Sequence, residues 1–200
     1  MRWLLADDPE LVPSADPARS RRHLRNLPDI PAAQEVLDAL DRSGAPLAER
    51  TTGPDHLTAS GVIVDAGRER ILVLRHAKLR RWLQTGGHAD GDHELAGVAL
   101  REASEESGIA GLAVLVPPID VDLHEVDHGD ALGPHRHLDV RFLVAAPAGA
   151  TVQGNRESTA LAWVTPTELA ELSGDPELVA LVRTALAVAR TAPAPPSGWS

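Results

Sequence analysis

Three glutamates, Glu102, Glu105 and Glu106, have the spacing that most directly suggests chemistry. They fall at positions i, i+3 and i+4, which on a helix places all three carboxylates on one face. Clustered carboxylates repel one another unless a cation neutralises them, and hard oxygen ligands of this kind suit magnesium or manganese. A solvated acidic face would have the same spacing, so the glutamates alone leave both interpretations open.

Glycines and an arginine flank these glutamates in a defined order. Gly86 and Gly87 precede the predicted helix, which ends in Arg101-Glu102-x-x-Glu105-Glu106-x-Gly108-Ile109. Together these residues resemble the Nudix box of the Nudix hydrolase family. Counting through that box from Gly87 places Arg101 at its proper position, which favours a metal site over a solvated face.

One position departs from the box. Its early glutamate should be residue 93, which is His93 in this chain, with Asp92 before it and Glu94 after it. In the family that glutamate mainly braces the box arginine, so the departure affects loop geometry more than metal binding. We expect Asp92 to take over this role and to pair with Arg101.

The resemblance implies a role for each box residue. Glu105 and Glu106 would bind Mg²⁺ or Mn²⁺, Glu102 would be a ligand or the catalytic base, and the Gly86 carbonyl would add a ligand. The structural residues of the box would be Gly87, Asp92, Arg101 and Gly108. The implied reaction is water attack on phosphorus in a diphosphate linkage, with the metal polarising the phosphoryl group. The substrate would be a small nucleotide or a related diphosphate.

A further acidic residue, Glu157, lies six residues before Trp163 in the last predicted strand. It resembles a glutamate that some family members use as a metal ligand or a base. Spacing alone is equally compatible with an ordinary loop carboxylate. Glu157 is therefore a candidate catalytic residue that rests on the resemblance.

Four residues are candidates for substrate binding. His137 and Arg141 lie on one face of the predicted strand His137–Ala145, because polar and apolar residues alternate there. If that face looks into the cleft, Arg141 could grip a phosphate and the histidines could contact substrate or a further metal; the pattern alone favours a solvent-facing polar side. His88 follows Gly87 directly, and Trp82 could stack on a base, although packing is the commoner role for a strand tryptophan.

Composition excludes several classes of function. The net charge of −10 disfavours a protein that coats nucleic acid. The chain has no cysteine, which excludes a disulfide framework, a thiolate nucleophile and the isopentenyl diphosphate isomerases that share the Nudix fold. The segment Met1–Leu5 lacks a long apolar core and is followed by acidic residues, so we expect neither a signal peptide nor a membrane span, and a cytoplasmic location.

The order of the predicted elements indicates a mixed α and β fold. Residues 1–50 are predicted to form an N-terminal helical extension, 51–190 a Nudix domain with C-terminal helices, and 191–200 a flexible tail. The resemblance, over residues 56–170, implies a mixed β-sheet between helices. The predicted helices are Pro31–Arg42, Glu94–Ser107 and two that begin at Thr165 and Asp175. The predicted strands are Leu57–Val64, Ile71–Leu74, one that begins at Trp82 and runs into a Gly-rich loop at Gly86 and Gly87, Leu112–Val116, Ile119–Val126, His137–Ala145 and Ala160–Val164.

Two functions remain in competition. The first is metal-dependent hydrolysis of a nucleoside diphosphate derivative or a nucleoside triphosphate, and the second is a Nudix-like module that binds a nucleotide without cleaving it. The second would be expected to lose box carboxylates, whereas all three glutamates are present. The N-terminal segment could cap the sheet, form a homodimer interface or act as a substrate lid, and the sequence does not choose among these roles.

Overall fold

The computed structural model describes residues 1–25, 27, 30–51, 53–126, 134–156 and 158–195. Within these ranges the chain forms nine strands and five α-helices. The strands are β1 (Arg2–Leu5), β2 (Asp55–Val64), β3 (Ile71–His76), β4 (Trp82–Leu83), β5 (Thr85–His88), β6 (Ala113–Val116), β7 (Asp120–Val126), β8 (His135–Ala145) and β9 (Ser158–Val164). The helices are α1 (Ala18–Leu24), α2 (Pro31–Ser43), α3 (Leu95–Ser107), α4 (Pro166–Ser173) and α5 (Pro176–Thr191).

A long parallel pair, β2 with β8, forms the centre of the sheet, and the two strands pair from Asp55 opposite Arg136 to Val64 opposite Ala145. Towards its beginning, β2 pairs on its other side with β5, and its last residues pair with β3. In the same way β8 pairs first with β7 and then with β6. The sheet therefore has two halves. One half has the strand order β7-β8-β2-β5, and the other contains the remaining strands, β1, β6, β3, β4 and β9, which pair around the other ends of β8 and β2.

Side chains that alternate along β2 face two different cores. Leu57, Ala59 and Ile63 belong to the core that contains the apolar face of α3. Val62 and Val64 belong to the core that contains the apolar face of α5. Because successive strand residues point to opposite faces, the sheet lies between these helices. The predicted fold class, a mixed β-sheet between helices, is confirmed.

Most predicted elements are present within a few residues of their predicted ends. Helix α4 begins at the capping box of Thr165 and Glu168, in which Thr165 Oγ1 accepts from the Glu168 N–H and the Glu168 carboxylate accepts from the Thr165 N–H. Helix α5 begins at Asp175, whose side chain accepts hydrogen bonds from two backbone N–H groups of the first turn. The polar termini of these helices are therefore encoded locally.

The N-terminal segment, predicted to be helical, contains a β-strand as well as helices. Residues Arg2–Leu5 form β1, which pairs antiparallel with β6, and α1 precedes the predicted helix α2. Neither β1 nor α1 was expected, because a four-residue strand with one buried side chain, Leu4, carries too little alternation to be recognised. Leu4, Leu24, Val36 and Leu40 join the α3 core, so the segment packs onto the domain as one body.

At the other end, α5 stops at Thr191. Part of the predicted flexible tail, residues 196–200, lies outside the described residues. Before that point the Ala192 and Pro193 carbonyls accept hydrogen bonds from the Arg68 guanidinium, and the Pro193 carbonyl also accepts from the Trp3 indole. Across the part of the chain that the structure describes, no helix has both the length and the apolar character that a membrane span needs.

Candidate active site

Helix α3 presents the three glutamates at one side while its apolar residues pack beneath the sheet. Glu106 is buried, with 6% of its surface exposed, Glu102 is half-buried and Glu105 is exposed. The helix ends at Gly108, which has a left-handed φ of 67° and donates its N–H to the Ser104 carbonyl. The expected C-terminal glycine is therefore confirmed.

The glycine pair of β5 allows α3 to lie very close to the sheet. The Gly86 N–H donates to Glu106 Oε2 at 2.9 Å. A Cβ added at Gly87 would collide with the Glu102 carboxylate, and one added at Gly86 would lie 2.9 Å from the Cα of Ser60. The structure thus brings Gly86 to Glu106 and Gly87 to Glu102, which explains why β5 needs two residues without side chains. The two glycines were expected in a loop but lie on this strand.

Asp92 and Arg101 face each other as expected. Arg101 Nη1 lies 4.0 Å from Asp92 Oδ2, and Arg101 Nη2 donates to Glu102 Oε1 at 3.2 Å. The other carboxylate oxygen of Asp92 accepts hydrogen bonds from the Ser14 N–H at 2.9 Å and the Glu94 N–H at 2.8 Å. Asp92 therefore connects the box arginine to the N-terminal segment as well as to its own loop.

His93 and Glu94, the other two residues where the chain differs from the box, also contact the N-terminal segment. His93 is fully buried, with Nδ1 2.8 Å from Ser20 Oγ and Nε2 3.1 Å from the Ala45 carbonyl oxygen. Burial lowers the pKa of His93, which keeps its imidazole neutral near pH 7. Its neutral ring can donate one of these hydrogen bonds and accept the other.

Glu94 lies 1% exposed beneath α1. Its Oε2 is 3.2 Å from both Arg19 Nη1 and Arg22 Nη2, and its Oε1 is 2.5 Å from His23 Nε2. The sequence interpretation missed this contact between the N-terminal segment and the box loop. The basic run of α1, Arg19 to His23, was the signal that could have indicated an acidic partner.

Of the substrate-binding candidates, His88 and His137 are brought together. Their ring centroids are 4.9 Å apart, and both lie beside His56, a residue of β2 that the sequence interpretation overlooked. The polar face of β8 is not a solvent-facing side, because Asp139 is 2% and His135 is 6% exposed. The solvent-facing interpretation is therefore wrong: His137 packs against His56, His88 and His124 of the neighbouring strands on the same face.

Burial and neighbouring imidazoles favour the neutral forms of His56 and His137. Burial, followed by repulsion from His88 and His135, lowers the pKa of His56 to about 4. Burial and the surrounding imidazoles also hold the pKa of His137 well below its usual value. Both rings are neutral at pH 7, which leaves nitrogen lone pairs in place of cationic donors.

Arg141 forms ion pairs with three carboxylates. Its guanidinium lies 3.0 Å from Asp139, 3.1 Å from Asp120 and 2.8 Å from Asp122. Burial opposes its charge, but these aspartates outweigh burial and raise the pKa of Arg141. A phosphate would have to displace one of them, so the geometry favours an organising role for Arg141 within the sheet over the predicted contact with substrate.

Two candidates remain to be placed. Trp82 is half-buried and packs against the core under α5, as expected for a strand tryptophan. Glu157 lies outside the described residues, so its catalytic role stays a prediction. Its neighbour Ser158 begins β9, which pairs with β3.

Because Glu102 is a candidate metal ligand or base, we expect Gly87→Ala to lower kcat by about 10-fold, since displacement of such a group by a fraction of an ångström is costly. The added methyl group would push the Glu102 carboxylate away, and that flexible group can move without unfolding the protein. Steady-state kinetics and thermal unfolding would test this. Gly67→Ala is the matched control, since its methyl group comes no closer than 3.8 Å to any neighbour; equal kcat for both variants would contradict the role of Gly87.

Comparison with known proteins gives one family. The NUDIX domain model matches residues 55–184, which leaves residues 1–54 and 185–200 outside the match. Curated proteins gave no match.

Solved structures share the fold at low identity. A NUDIX-family hydrolase from Clostridium perfringens is 21% identical, with a TM-score of 0.55 over 67% of this chain and 97% of that chain. An Ap4A hydrolase from C. elegans is 20% identical, with a TM-score of 0.58 over 68% and 98%. A dihydroneopterin triphosphate pyrophosphohydrolase from E. coli is 18% identical, with a TM-score of 0.51 over 70% and 97%. These structures support the fold, and the family match spans more than half of the sequence, so the chain belongs to the Nudix hydrolase family.

Proposed function

We propose that this Nudix hydrolase cleaves a diphosphate linkage in a nucleoside diphosphate derivative or a nucleoside triphosphate, with Mg²⁺ or Mn²⁺ as cofactor. The observation that carries the proposal is the placement of Glu102 and Glu106 against the glycine pair of β5. Without a metal ion, a buried Glu106 beside two further carboxylates would be repelled by them. A divalent cation would remove that repulsion.

The donor set of α3 fits magnesium or manganese. Glu102, Glu105 and Glu106 offer hard carboxylate oxygens, and the Gly86 carbonyl is a fourth oxygen donor in the proposed ligand set. Magnesium usually keeps several waters and takes only one or two carboxylates besides substrate phosphates, so an open face is suitable. When bound, the metal would supply Lewis-acid stabilisation of phosphoryl charge and would activate water.

The protein residues have separable tasks in this proposal. The Gly86 N–H fixes the Glu106 carboxylate, and Arg101 does the same for Glu102. A carboxylate must also take the proton of the attacking water. Glu102 is a candidate for that base, because it is half-buried and held near the glycine pair, and Glu157 remains the alternative from the sequence.

A nucleotide-sensing module is the rival function. The intact glutamates favour hydrolysis, because a binding module has no need of three carboxylates that repel a phosphate ligand. The cytoplasmic location, the preference for small molecules over nucleic-acid polymers and the homodimer stay predictions.

A substrate panel with metal removal separates the two functions. We expect turnover of at least one of the nucleoside triphosphates, nucleotide sugars and other diphosphates in the presence of Mg²⁺ or Mn²⁺, and loss of turnover in excess chelator. The panel should include diadenosine tetraphosphate and dihydroneopterin triphosphate, because two proteins of similar fold are named for them. Product phosphates would be measured by chromatography. Tight binding of a panel member without turnover in either metal would favour the sensor.

A further inference from the structure

Five histidines meet on one face of the β7-β8-β2-β5 half of the sheet. The ring centroid of His56 lies 4.8 Å from those of His135 and His137 and 4.9 Å from that of His88. The fifth ring, His124, lies 5.2 Å from His137. The proposed hydrolysis assigns none of them a role.

Strand pairing produces this arrangement. His56 on β2 is directly opposite His137 on β8, which is in turn opposite His124 on β7. His88 on β5 pairs with Thr58, two residues beyond His56 and on the same face. These four neighbouring histidines thus come from four different strands, which hold their backbones in fixed positions.

His56 is unusual for a buried imidazole. It is 1% exposed, and within the described parts of the chain neither of its ring nitrogens has a hydrogen-bond partner. A neutral imidazole has one donor and one acceptor, and burying both without partners is unfavourable. Coordination of a metal ion by one nitrogen would satisfy its lone pair. The burial of His56 therefore points to a ligand.

The neighbouring carboxylates are already engaged. Asp139 accepts hydrogen bonds from Thr58 and Ser60 and pairs with Arg141, while Asp55 pairs with Arg136. The potential metal ligands grouped with His56 are the imidazole nitrogens of His88 and His137. Imidazole suits zinc, copper and nickel, whereas magnesium prefers oxygen ligands.

We propose that His56, His88 and His137 bind a transition-metal ion, zinc in the first instance, at a site distinct from the carboxylates of α3. One ligand nitrogen from each lies within 4.8 Å of the others. A tetrahedral zinc ion with Zn–N bonds of about 2.0–2.1 Å needs nitrogens roughly 3.3 Å apart. Small side-chain rotations would close that difference. Three histidines leave the fourth position for water or a phosphate oxygen.

The neighbouring side chains suit this assignment. The His124 ring lies 5.2 Å from that of the ligand His137, and its Nδ1 lies 2.7 Å from the Asp122 carboxylate, so this pair borders the proposed site. Asp122 also pairs with Arg141, so the same network joins the site to the aspartates of β7 and β8. The site does not depend on the proposed hydrolysis.

Zinc titration of the untagged full chain, stripped with chelator, tests the proposal. With excess Mg²⁺ present to occupy the α3 carboxylates, we expect one equivalent of zinc per chain, a rise in melting temperature on zinc addition, and a visible spectrum of tetrahedral cobalt when Co²⁺ replaces it. Loss of a residue that merely orients a metal ligand typically weakens metal binding by roughly 10- to 100-fold. Because His88 is a proposed ligand itself, His88→Gln should weaken zinc binding by at least that much. His88 is half-buried, so this variant should fold; circular dichroism would verify it.

Two further variants give the controls. His76→Gln, on β3 and outside the cluster, should keep wild-type zinc affinity, and Glu106→Gln should keep it too, because the α3 carboxylates are not the ligands. The proposal is overturned if the wild type binds no stoichiometric zinc, if His88→Gln binds zinc as tightly as the wild type, or if Glu106→Gln loses it.

Discussion

Replacement of Glu106 by glutamine is expected to lower kcat by about 10²–10³-fold, the loss typical for removal of one group that stabilises developing charge. Glutamine keeps the size of the side chain, and its carbonyl oxygen can still accept the Gly86 N–H. What it loses is the negative charge that would attract the metal ion. The effect should therefore fall on catalysis and on metal affinity, with little change in the free energy of unfolding.

Kinetics at saturating and limiting Mg²⁺ would measure both effects, and thermal unfolding would verify the fold. Glu171→Gln on α4 is the matched control, because it makes the same chemical change at an exposed position. The control should retain wild-type kcat. A Glu106→Gln variant with full activity and unchanged metal dependence would refute the assignment of Glu106 as a metal ligand.

The part of the site that lies on α3 was predictable because its determinants are local. A helix repeats every 3.6 residues, so the spacing of Glu102, Glu105 and Glu106 defines one face without knowledge of the tertiary fold. Gly108 ends the helix by its own left-handed backbone. The glycine pair was recognisable from its place in the box, although its physical reason, the approach of Glu102 and Ser60, is visible only in three dimensions.

The histidine cluster could not be predicted in this way. His56 and His137 are far apart in sequence, and only the parallel register of β2 with β8 places them opposite each other. A shift of one residue would turn either side chain to the other face of the sheet. The same long-range pairing explains Arg141, because two of its three carboxylates come from β7. The alternation of polar and apolar residues along β8 predicted which side chains share a face, but it did not predict that the polar face is largely buried.

The box departure at residues 92–94 was only half understood from the sequence. Pairing of Asp92 with Arg101 followed from the family pattern, and the two groups are 4.0 Å apart. The roles of His93 and Glu94 depend on α1, which lies outside the matched family region. The N-terminal segment thus provides buried partners for a loop whose usual glutamate is missing.

Glu94→Ala is expected to lower the free energy of unfolding by about 3 kcal/mol, the lower end of the range for breaking a buried ion pair, since Arg19 and Arg22 are partly solvated. The variant leaves buried His23 without its acceptor and removes the contact that holds α1 to the box loop. Urea denaturation would measure the stability, and hydrogen exchange of the α1 amides should become faster.

Asp41→Ala is the matched control, because Asp41 pairs with Arg21 of the same helix but its side chain is 72% exposed. Exposed ion pairs contribute about 0–1 kcal/mol, so this variant should stay near wild-type stability. If Glu94→Ala and Asp41→Ala had the same free energy of unfolding, the contacts of Glu94 would not anchor α1. If Glu94→Ala alone is destabilised and its α1 amides exchange faster, the N-terminal segment is an integral support of the box loop, because the only change is the buried carboxylate between them.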